Sequence, residues 1–573
     1  MTYTQLADLI FPDAKDTSYY EEKFPERQLP EGAVVTRFAP SPTGFVHIGA
    51  LEQCIIETSL KKQTDGVLIL RIEDTDQKRK IENGVQGIID SMKDFDIVFD
   101  EGMTSETESK GEYGPYIQTQ RRDIYQSYAK KLISEGKAYP CFASEEDLAE
   151  LRKKQEAEKC DNIGYYGKWA IYREMSPDEA AERIKNGDKY VIRFRSEGKE
   201  DGRITHKDMI KGKVDLPQNI LDIIIIKGDG LPTYHFAHAV DDHLMHTTHV
   251  IRSNEWFPSV PLHLELFRAL GFKAPKYCHY APMLKSEEKK DENGNVIIGE
   301  DGKAETFKRK ISKRKDPEAA VGYYHQEGIP SESVKEYLMT IANSDFEMWR
   351  QSNPNADLYD FPFKLKKMST TEGALFDMDK LIDVSKNVIA TFSAQKVYED
   401  ANEWAKRYDE KLANMLADKE YSLRVLGIER GADIKKKRKD IGKWSDLRDY
   451  ISYMYDDCFY SEAVNYEYQL IKDKKTLTKI FELYADKYYD EADDNQAWFG
   501  KLKDLAEEVG YAREVKLWKQ DKEHWPGHVG DVSTAIRIAV TGRANTPDLC
   551  QIMNVMGTER VKERLRRAAE KLD

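Results

Sequence analysis

Cysteine is scarce in this chain: six in 573 residues, scattered at Cys54, Cys141, Cys160, Cys278, Cys458 and Cys550. That pattern excludes a disulfide framework and reads as reduced thiols in a cytoplasm. Long apolar runs are missing too. None reaches the roughly 20 residues a bilayer-spanning helix needs, so no membrane is expected as a partner. Met1–Pro30 is mixed and acidic, without a basic start or an apolar segment, and does not read as a signal peptide. Positive charge is in deficit, with 88 Lys and Arg against 102 Asp and Glu and a formal net charge of −14. Taken alone, this argues against a bulk nucleic-acid binder, although binding depends on where the basic groups cluster.

What is present is a soluble, globular composition, 40% hydrophobic and 33% charged. The length exceeds what one core organises, so two to five domains are expected. Ala33–Phe38 is β-prone and breaks at Pro40, Pro42 and Gly44. A helix follows His47, with Leu51, Ile55 and Leu60 near one face, and Val67–Ile72 reads as the next strand. Strand, loop, helix and strand in that order predict a βαβ unit of a parallel sheet. From about 141 to 215 the chain turns polar. The near-continuous apolar run Ile220–Ile226 then reads as a buried parallel strand, the sheet resuming after an inserted domain. Residues 286–309, rich in Lys, Glu, Asp and Gly, read as an exposed, mobile hairpin or loop. Beyond about 330 helices dominate. Thr546-Pro547 reads as a helix start, Gly557 as its stop and Thr558 as the cap of the last helix, whose apolar face is Val561, Leu565, Ala569 and Leu572.

Two short motifs carry chemistry. Arg37-Phe38-Ala39-Pro40-Ser41-Pro42-Thr43-Gly44-Phe45-Val46-His47-Ile48-Gly49 suits phosphate handling at a strand-to-helix turn. Gly44 permits a tight turn, Gly49 a close backbone approach, and a helix N-terminus offers N–H groups to an anion. His47 is either a donor to a phosphate oxygen or a structural residue of a proline-rich loop. Lys310-Ile311-Ser312-Lys313-Arg314-Lys315 is either a solvated basic face or a loop at the sheet's carboxyl edge, where ligands bind.

The pair resembles the two signatures of class I aminoacyl-tRNA synthetases. The resemblance to glutamyl-tRNA synthetases extends through Arg71-Ile72-Glu73-Asp74-Thr75-Asp76, Gly114-Pro115-Tyr116, Pro232-Thr233-Tyr234-His235-Phe236, Val240-Asp241-Asp242-His243, Thr248-His249-Val250-Ile251-Arg252 and Ile536–Arg543. It implies an α/β fold: a Rossmann-type parallel-sheet catalytic domain with an inserted α/β acceptor-end domain, then an all-helical anticodon-binding region. The corresponding division is an N-terminal extension (1–32), the first catalytic half (33–140), the acceptor-end insertion (141–215), the second catalytic half (216–325), a stem-contact helical domain (326–395) and the anticodon-binding domain (396–573).

The resemblance further implies ATP-dependent activation of glutamate and its transfer to tRNA(Glu), with release of AMP and pyrophosphate. His47, Lys310 and Lys313 match the catalytic residues of the signatures. Gly49, Trp256 and Ser312 join them at ATP, which is expected with Mg2+ as a substrate complex. Arg37, Ser41, Glu73, Tyr234, His238 and Arg252 match the glutamate pocket, in which the arginines take carboxylates and Glu73 faces the ammonium. Arg37 and Glu73 also admit a reading as a structural ion pair, and Tyr234 as a core aromatic.

Some positions depart from the pattern. His238 stands where the family generally has asparagine, and a histidine there is expected to titrate near neutrality. Glu52 replaces a frequent arginine, Ser253-Asn254 replaces a glycine–acidic pair, and the loop before Lys310 is long. These features suggest a divergent subgroup. Some relatives hold zinc in the insertion, but Cys141 and Cys160 do not make four ligands, so no structural zinc and no other metal site is expected. Lys435–Lys439 is a candidate RNA-backbone patch or a solvated face. Trp498, Trp518 and Trp525 are base-stacking candidates or core residues. A monomer is the family expectation. The rival readings are a non-discriminating enzyme that also charges tRNA(Gln), a glutaminyl-tRNA synthetase, disfavoured by Ser41-Pro42-Thr43-Gly44 and Ile311, a truncated tRNA-modifying paralogue, disfavoured by the long C-terminal half, and a non-catalytic RNA-binding module on the same fold.

Overall fold

Val35–Phe38 forms β1, and all four of its residues are buried. Burial on both faces is the environment of an interior parallel strand, which the β-branched Val35 and Thr36 suit. Pro40 and Pro42 lack the N–H a ladder needs, so the strand gives way to a loop and then to the helix Ile48–Thr64. β2 (Val67–Leu70) returns parallel to β1, with Val35 opposite Val67. β3 (Glu101–Met103) pairs parallel with β2, and β4 (Ser109–Lys110) pairs antiparallel with β3.

The computed structural model describes every residue except 79–80, 313, 369–372, 432–433, 435–436, 462–465 and 573, and omits the side chain of residue 461. The chain divides into two units. One holds Met1–Tyr323 with Lys335–Asp377; the other holds Tyr324–Val334 with Met378–Asp573.

In the first unit, β5 (Ala138–Cys141), β6 (Val191–Phe194) and β9 (Ile224–Ile226) form an antiparallel sheet in the order β5-β6-β9. Between them, β7 (Arg203–Asp208) and β8 (Gly212–Pro217) make a hairpin. The expected parallel strand at 220–226 is therefore corrected: only Ile224–Ile226 is extended, and it pairs antiparallel with β6. An apolar run reports burial but does not report the direction of the neighbour that buries it. The parallel sheet resumes later. Thr248 N–H donates to Val35 O (2.9 Å), setting β10 (His249–Ser253) beside β1, and β10 pairs parallel with β11 (Lys276–Tyr280). The 286–309 stretch is a hairpin: β12 (Leu284–Glu288) pairs antiparallel with β13 (Thr306–Lys310), and the bridges Lys290–Val296 and Ile298–Ala304 carry it outward.

The second unit is helical among its described residues. Val397, Ala401, Leu412, Leu502, Leu505, Ile536, Val561 and Leu565 lie in one buried cluster. Inside it, Arg564 donates to the carbonyls of Tyr453 (2.6 Å) and Val540 (2.7 Å) and to Asp456 (2.8 Å). Two expected caps are displaced. Asp548, not Thr546, caps Leu549–Met556 by accepting from Gln551 N–H at 2.9 Å, while Thr546 is buried and receives Arg537. Gly557 ends that helix. Thr558 is the first residue of Thr558–Glu570, and both its N–H and its hydroxyl donate to Glu491 (3.0 and 2.7 Å). In both cases a longer-range partner outcompetes the local cap.

Candidate active site

The loop from β1 to helix Ile48–Thr64 is built on two glycines. Gly44 has φ +144, a region open to glycine. A Cβ on Gly49 would sit 3.3 Å from His47 Nδ1, the atom that accepts Gly49 N–H at 3.0 Å. His47 thus caps the helix, and its neutral ring carries the proton on Nε2. Gly49 O in turn accepts the hydroxyl of Tyr280 (3.2 Å).

The first signature meets the chain that follows the second. His47 forms an antiparallel bridge with Ala320, and Val321 N–H donates to Val46 O at 3.1 Å. The second segment is shaped by Asp316. Arg309 grips it with Nη1 and Nη2 (2.6 and 2.8 Å), Ser312 N–H donates to it (2.8 Å), and Lys285 reaches it at 3.2 Å. Hydrogen bonds from Arg309 hold this carboxyl well below the usual range. Ser312 O and Oγ accept from the N–H groups of Lys315 and Arg314 (3.1 and 3.3 Å), closing a turn. Lys310 Nζ bonds Glu255 Oε1 at 2.5 Å, one residue from Trp256, and both side chains are about half exposed (45% and 55%). Lys313 lies outside the described residues.

Behind this surface is a buried ionic cluster centred on helix Tyr234–Leu244. Successive helical residues point about 100° apart, so the adjacent Asp241 and Asp242 take different hydrogen-bond partners, although Arg71 lies between them, with Nε 3.7 Å from Asp241. Asp241 receives Arg121 Nε (2.7 Å), Tyr125 OH (2.8 Å) and Gln118 Nε2 (2.9 Å). Asp242 receives Arg71 Nη1 (2.6 Å) and Arg37 Nε, which is 3.2 Å from each oxygen. The reading of Arg37 and Glu73 as mutual ion partners is corrected: Glu73 pairs with Arg71 at 3.1 Å, and Arg37 with Asp242. Burial lifts the Glu73 carboxyl above its ordinary range despite Arg71 and Arg37.

His238 is fully buried, with Nδ1 2.9 Å from Asp242 Oδ2 and Nε2 2.9 Å from Tyr277 OH. The expectation that it titrates near neutrality is overturned. Burial pushes it down to about 4, outweighing Asp242, with Arg252 and Arg37 adding to the fall. Tyr234 stacks over His238 (6.0 Å between centroids) and meets Trp256 at 4.5 Å. Arg252 is buried: Nε donates to His279 Nε2 (2.8 Å), Nη2 to His263 Nδ1 (3.2 Å), and the guanidinium lies 4.7 Å from the Tyr277 ring centroid. Its Nη1 is buried without a partner among the described residues.

Arg37, Glu73, Tyr234, His238 and Arg252 therefore share one cluster, while Lys310 and Trp256 adjoin through Glu255. Ser41 lies on the exposed loop, where its carbonyl accepts Thr43 N–H (2.8 Å). Among the described residues, no recorded contact joins its side chain to the cluster. Sequence reasoning missed Asp241, Asp242, Asp208, His263, His279 and Asp316. The signal for the first two was present, since two adjacent carboxylates on a helix whose Phe236, Ala237, Ala239 and Val240 are core-forming demand buried cations. Cys141 sits in a small core with Tyr139, Tyr165 and Ala170, its thiol against Tyr165 OH (3.4 Å). Among the described residues no group of three or more His, Cys, Asp or Glu is arranged to hold a metal, and no helix is long and apolar enough to cross a membrane.

A parallel sheet whose first strand runs into a histidine-capped helix, joined by a lysine-bearing hairpin loop, is the arrangement of a class I synthetase. Residues 33–291 match the family model described as tRNA synthetases class I (E and Q), catalytic domain, and residues 396–569 match that of an anticodon binding domain. The chain is 48% identical over 569 residues to the glutamate–tRNA ligase of Clostridium perfringens strain 13, spanning 99% of this chain and 100% of that one. It is 46% identical over 570 residues to that of Acetivibrio thermocellus, with 99% and 100% covered. The crystal structure of a glutamate tRNA ligase from Elizabethkingia meningosepticum, in complex with its amino acid, shares the fold at TM-score 0.69 and 23% identity, covering 94% of this chain and all of that one. This chain belongs to the glutamate–tRNA ligase family of class I aminoacyl-tRNA synthetases.

Proposed function

We propose that this chain activates glutamate with ATP and transfers it to the 3′ end of tRNA(Glu), acting as a cytoplasmic monomer. A carboxylate oxygen of glutamate attacks the α-phosphorus of ATP, supplied as its Mg2+ complex. That P–O bond forms as the bond to the leaving pyrophosphate breaks. The terminal ribose hydroxyl then attacks the acyl carbon and AMP departs. Such chemistry needs positioning and charge stabilisation rather than a protein nucleophile. In this reading His47 Nε2–H donates to a phosphate oxygen, and Lys310 and Lys313 neutralise the triphosphate. Gly49, Ser312 and Trp256 line the nucleotide. Arg37 and Arg252 take carboxylates, Glu73 faces the ammonium, and Ser41 and Tyr234 complete the pocket. His238 serves the pocket by bracing Asp242 and Tyr277. Segment 141–215 takes the acceptor end, 326–395 the stem and 396–573 the anticodon; the Lys435–Lys439 run, of which Lys435 and Lys436 lie outside the described residues, is offered as a backbone-contact patch, and Trp498, Trp518 and Trp525 as stacking residues.

The observation that carries this reading is the pairing of the first signature with the chain that follows the second, His47 against Ala320 and Val46 against Val321. It ties a helix N-terminus, which favours anions, to the segment that leads on from Lys310 and Ser312. The test is glutamate charging of glutamate and glutamine tRNA transcripts by the purified protein. Charging of the first alone makes it a discriminating enzyme. Charging of both makes it non-discriminating and implies a partner amidotransferase. Charging of neither by folded protein overturns the proposal.

A further inference from the structure

Buried arginines in this cluster are held in two different ways. Arg37 and Arg71 are met by carboxylates, Asp242 and Glu73, at 2.6–3.2 Å. Arg252 is met by two imidazoles, His279 Nε2 at 2.8 Å and His263 Nδ1 at 3.2 Å. A guanidinium has only donors, so both ring nitrogens facing it must be lone-pair acceptors. That settles each tautomer. The His279 proton sits on Nδ1 and is donated to Asp208 Oδ2 at 2.7 Å; the His263 proton sits on Nε2 and is donated to His235 Nδ1 at 2.9 Å. A protonated ring at either position would lose the acceptor and repel Arg252. Burial keeps both neutral: it lowers His279 to about 4 and His263 well below its ordinary value.

We propose that His279 and His263 are specificity-determining positioning residues, which hold Arg252 by uncharged acceptors so that its positive charge remains available to an anionic amino acid. The proposal rests on the glutamate-binding reading given above. Arg252 gains orientation from two hydrogen bonds without gaining a counter-ion. Asp208, the carboxylate in this chain of contacts, is separated from it by the whole imidazole of His279. The buried Nη1, partnerless among the described residues, is the donor that a substrate carboxylate would complete. A carboxylate in place of either histidine would hold the arginine equally well and spend its charge. Glutamate would then lose much of its advantage over neutral glutamine, because a buried charge that is already paired offers little to a second anion.

The experiment compares His279→Gln with His279→Glu, measuring tRNA charging against glutamate, glutamine and ATP concentrations. The glutamine side chain keeps a neutral acceptor; the glutamate side chain adds a counter-ion of similar reach. The expected result is a glutamate KM raised about tenfold to a hundredfold in His279→Glu, the worth of one charge-assisted hydrogen bond. The ATP KM should hold within about threefold, and the glutamate-to-glutamine kcat/KM ratio should fall. His279→Gln should stay within about fivefold of wild type for glutamate KM, the packing change costing little beside the lost charge. Equal losses in the two variants, or an ATP KM that rises with that of glutamate, would make His279 a packing residue and overturn the proposal. If His279→Glu does not fold, as judged by circular dichroism, the same comparison at His263 decides. Failure of the underlying reading is distinguishable, because wild-type protein would then not charge tRNA with glutamate at all.

Discussion

Replacing Asp242 with asparagine removes one charge and almost no volume, yet it acts at the carboxylate to which both Arg37 and Arg71 donate. Asp242 takes Arg71 Nη1 at 2.6 Å and Arg37 Nε at 3.2 Å, and its side chain and that of Arg71 are fully buried. Burial pushes this carboxyl up, but Arg37 and Arg71 outweigh it and hold it well below the ordinary range. Removing one partner of a buried ion pair costs about 3–5 kcal/mol, since the remaining charge stays desolvated. Asparagine keeps one acceptor oxygen, so about 3 kcal/mol is expected, a substantial share of the roughly 5–15 kcal/mol that holds a domain folded. The control is Asp215→Asn, whose pair with Arg203 is as short (2.9 Å) but 57% and 55% exposed, and which should cost under about 1 kcal/mol. Urea unfolding followed by circular dichroism compares them. An Asp242→Asn midpoint no lower than that of the control would refute the premise that these charges are dry.

His47→Asn should preserve the helix cap, since asparagine accepts from the same N–H group, while slowing adenylate formation about 10²–10³-fold. His47→Ala should slow it as much and also lose about 1 kcal/mol of stability. In both, tRNA affinity measured by filter binding should be nearly unchanged; affinity falling in step with rate would make His47 structural. Arg252→Ala should raise the glutamate KM far more than the ATP KM in steady-state charging, and equal effects would count against a carboxylate role. His235, His238, His249 and His279 are each lowered by burial to about 4, whereas unfolded histidine titrates near about 6.5. Between these values the unfolded chain binds more protons, so stability should fall as pH drops from about 6.5 toward 4, by up to about 1.4 kcal/mol per pH unit for each histidine. Glu52 and Glu57, which burial lifts to about 8 and about 7, oppose part of this fall. The check is therefore made in Glu52→Gln/Glu57→Gln protein, where a urea midpoint flat between about pH 6.5 and 5 would show these rings to be solvated.

The elements around the first signature were legible in the residues because their causes are local. Val35 and Thr36 favour extension, Pro40 and Pro42 stop it, and the helix after His47 shows its buried face at Leu51, Ile55 and Leu60. Gly557 as a helix stop is equally local. Chain neighbours within about four residues decide such features, and sequence spacing records them. The order of the motifs, with the resemblance they carry, was also enough to reach the family. Tertiary structure alone decided the rest. Ile224–Ile226 is as apolar as a parallel core strand, but the edge of β6 beside it runs the other way. His238 looks titratable by type and is neutral by burial. Thr546 and Thr558 look like caps, and longer-range partners, Arg537 and Glu491, claim their side chains. The Arg252 site joins Asp208 of β7, Arg252 of β10, His263 of helix Val260–Leu270 and His279 of β11. No periodicity encodes that meeting, because hydrogen bonds between segments far apart in the chain depend on how the sheet and the inserted hairpin close on one another. The sequence by itself determined the signature motifs and, through them, the family; only the fold decided which buried groups surround them and how those groups pair, because such contacts join segments far apart in the chain.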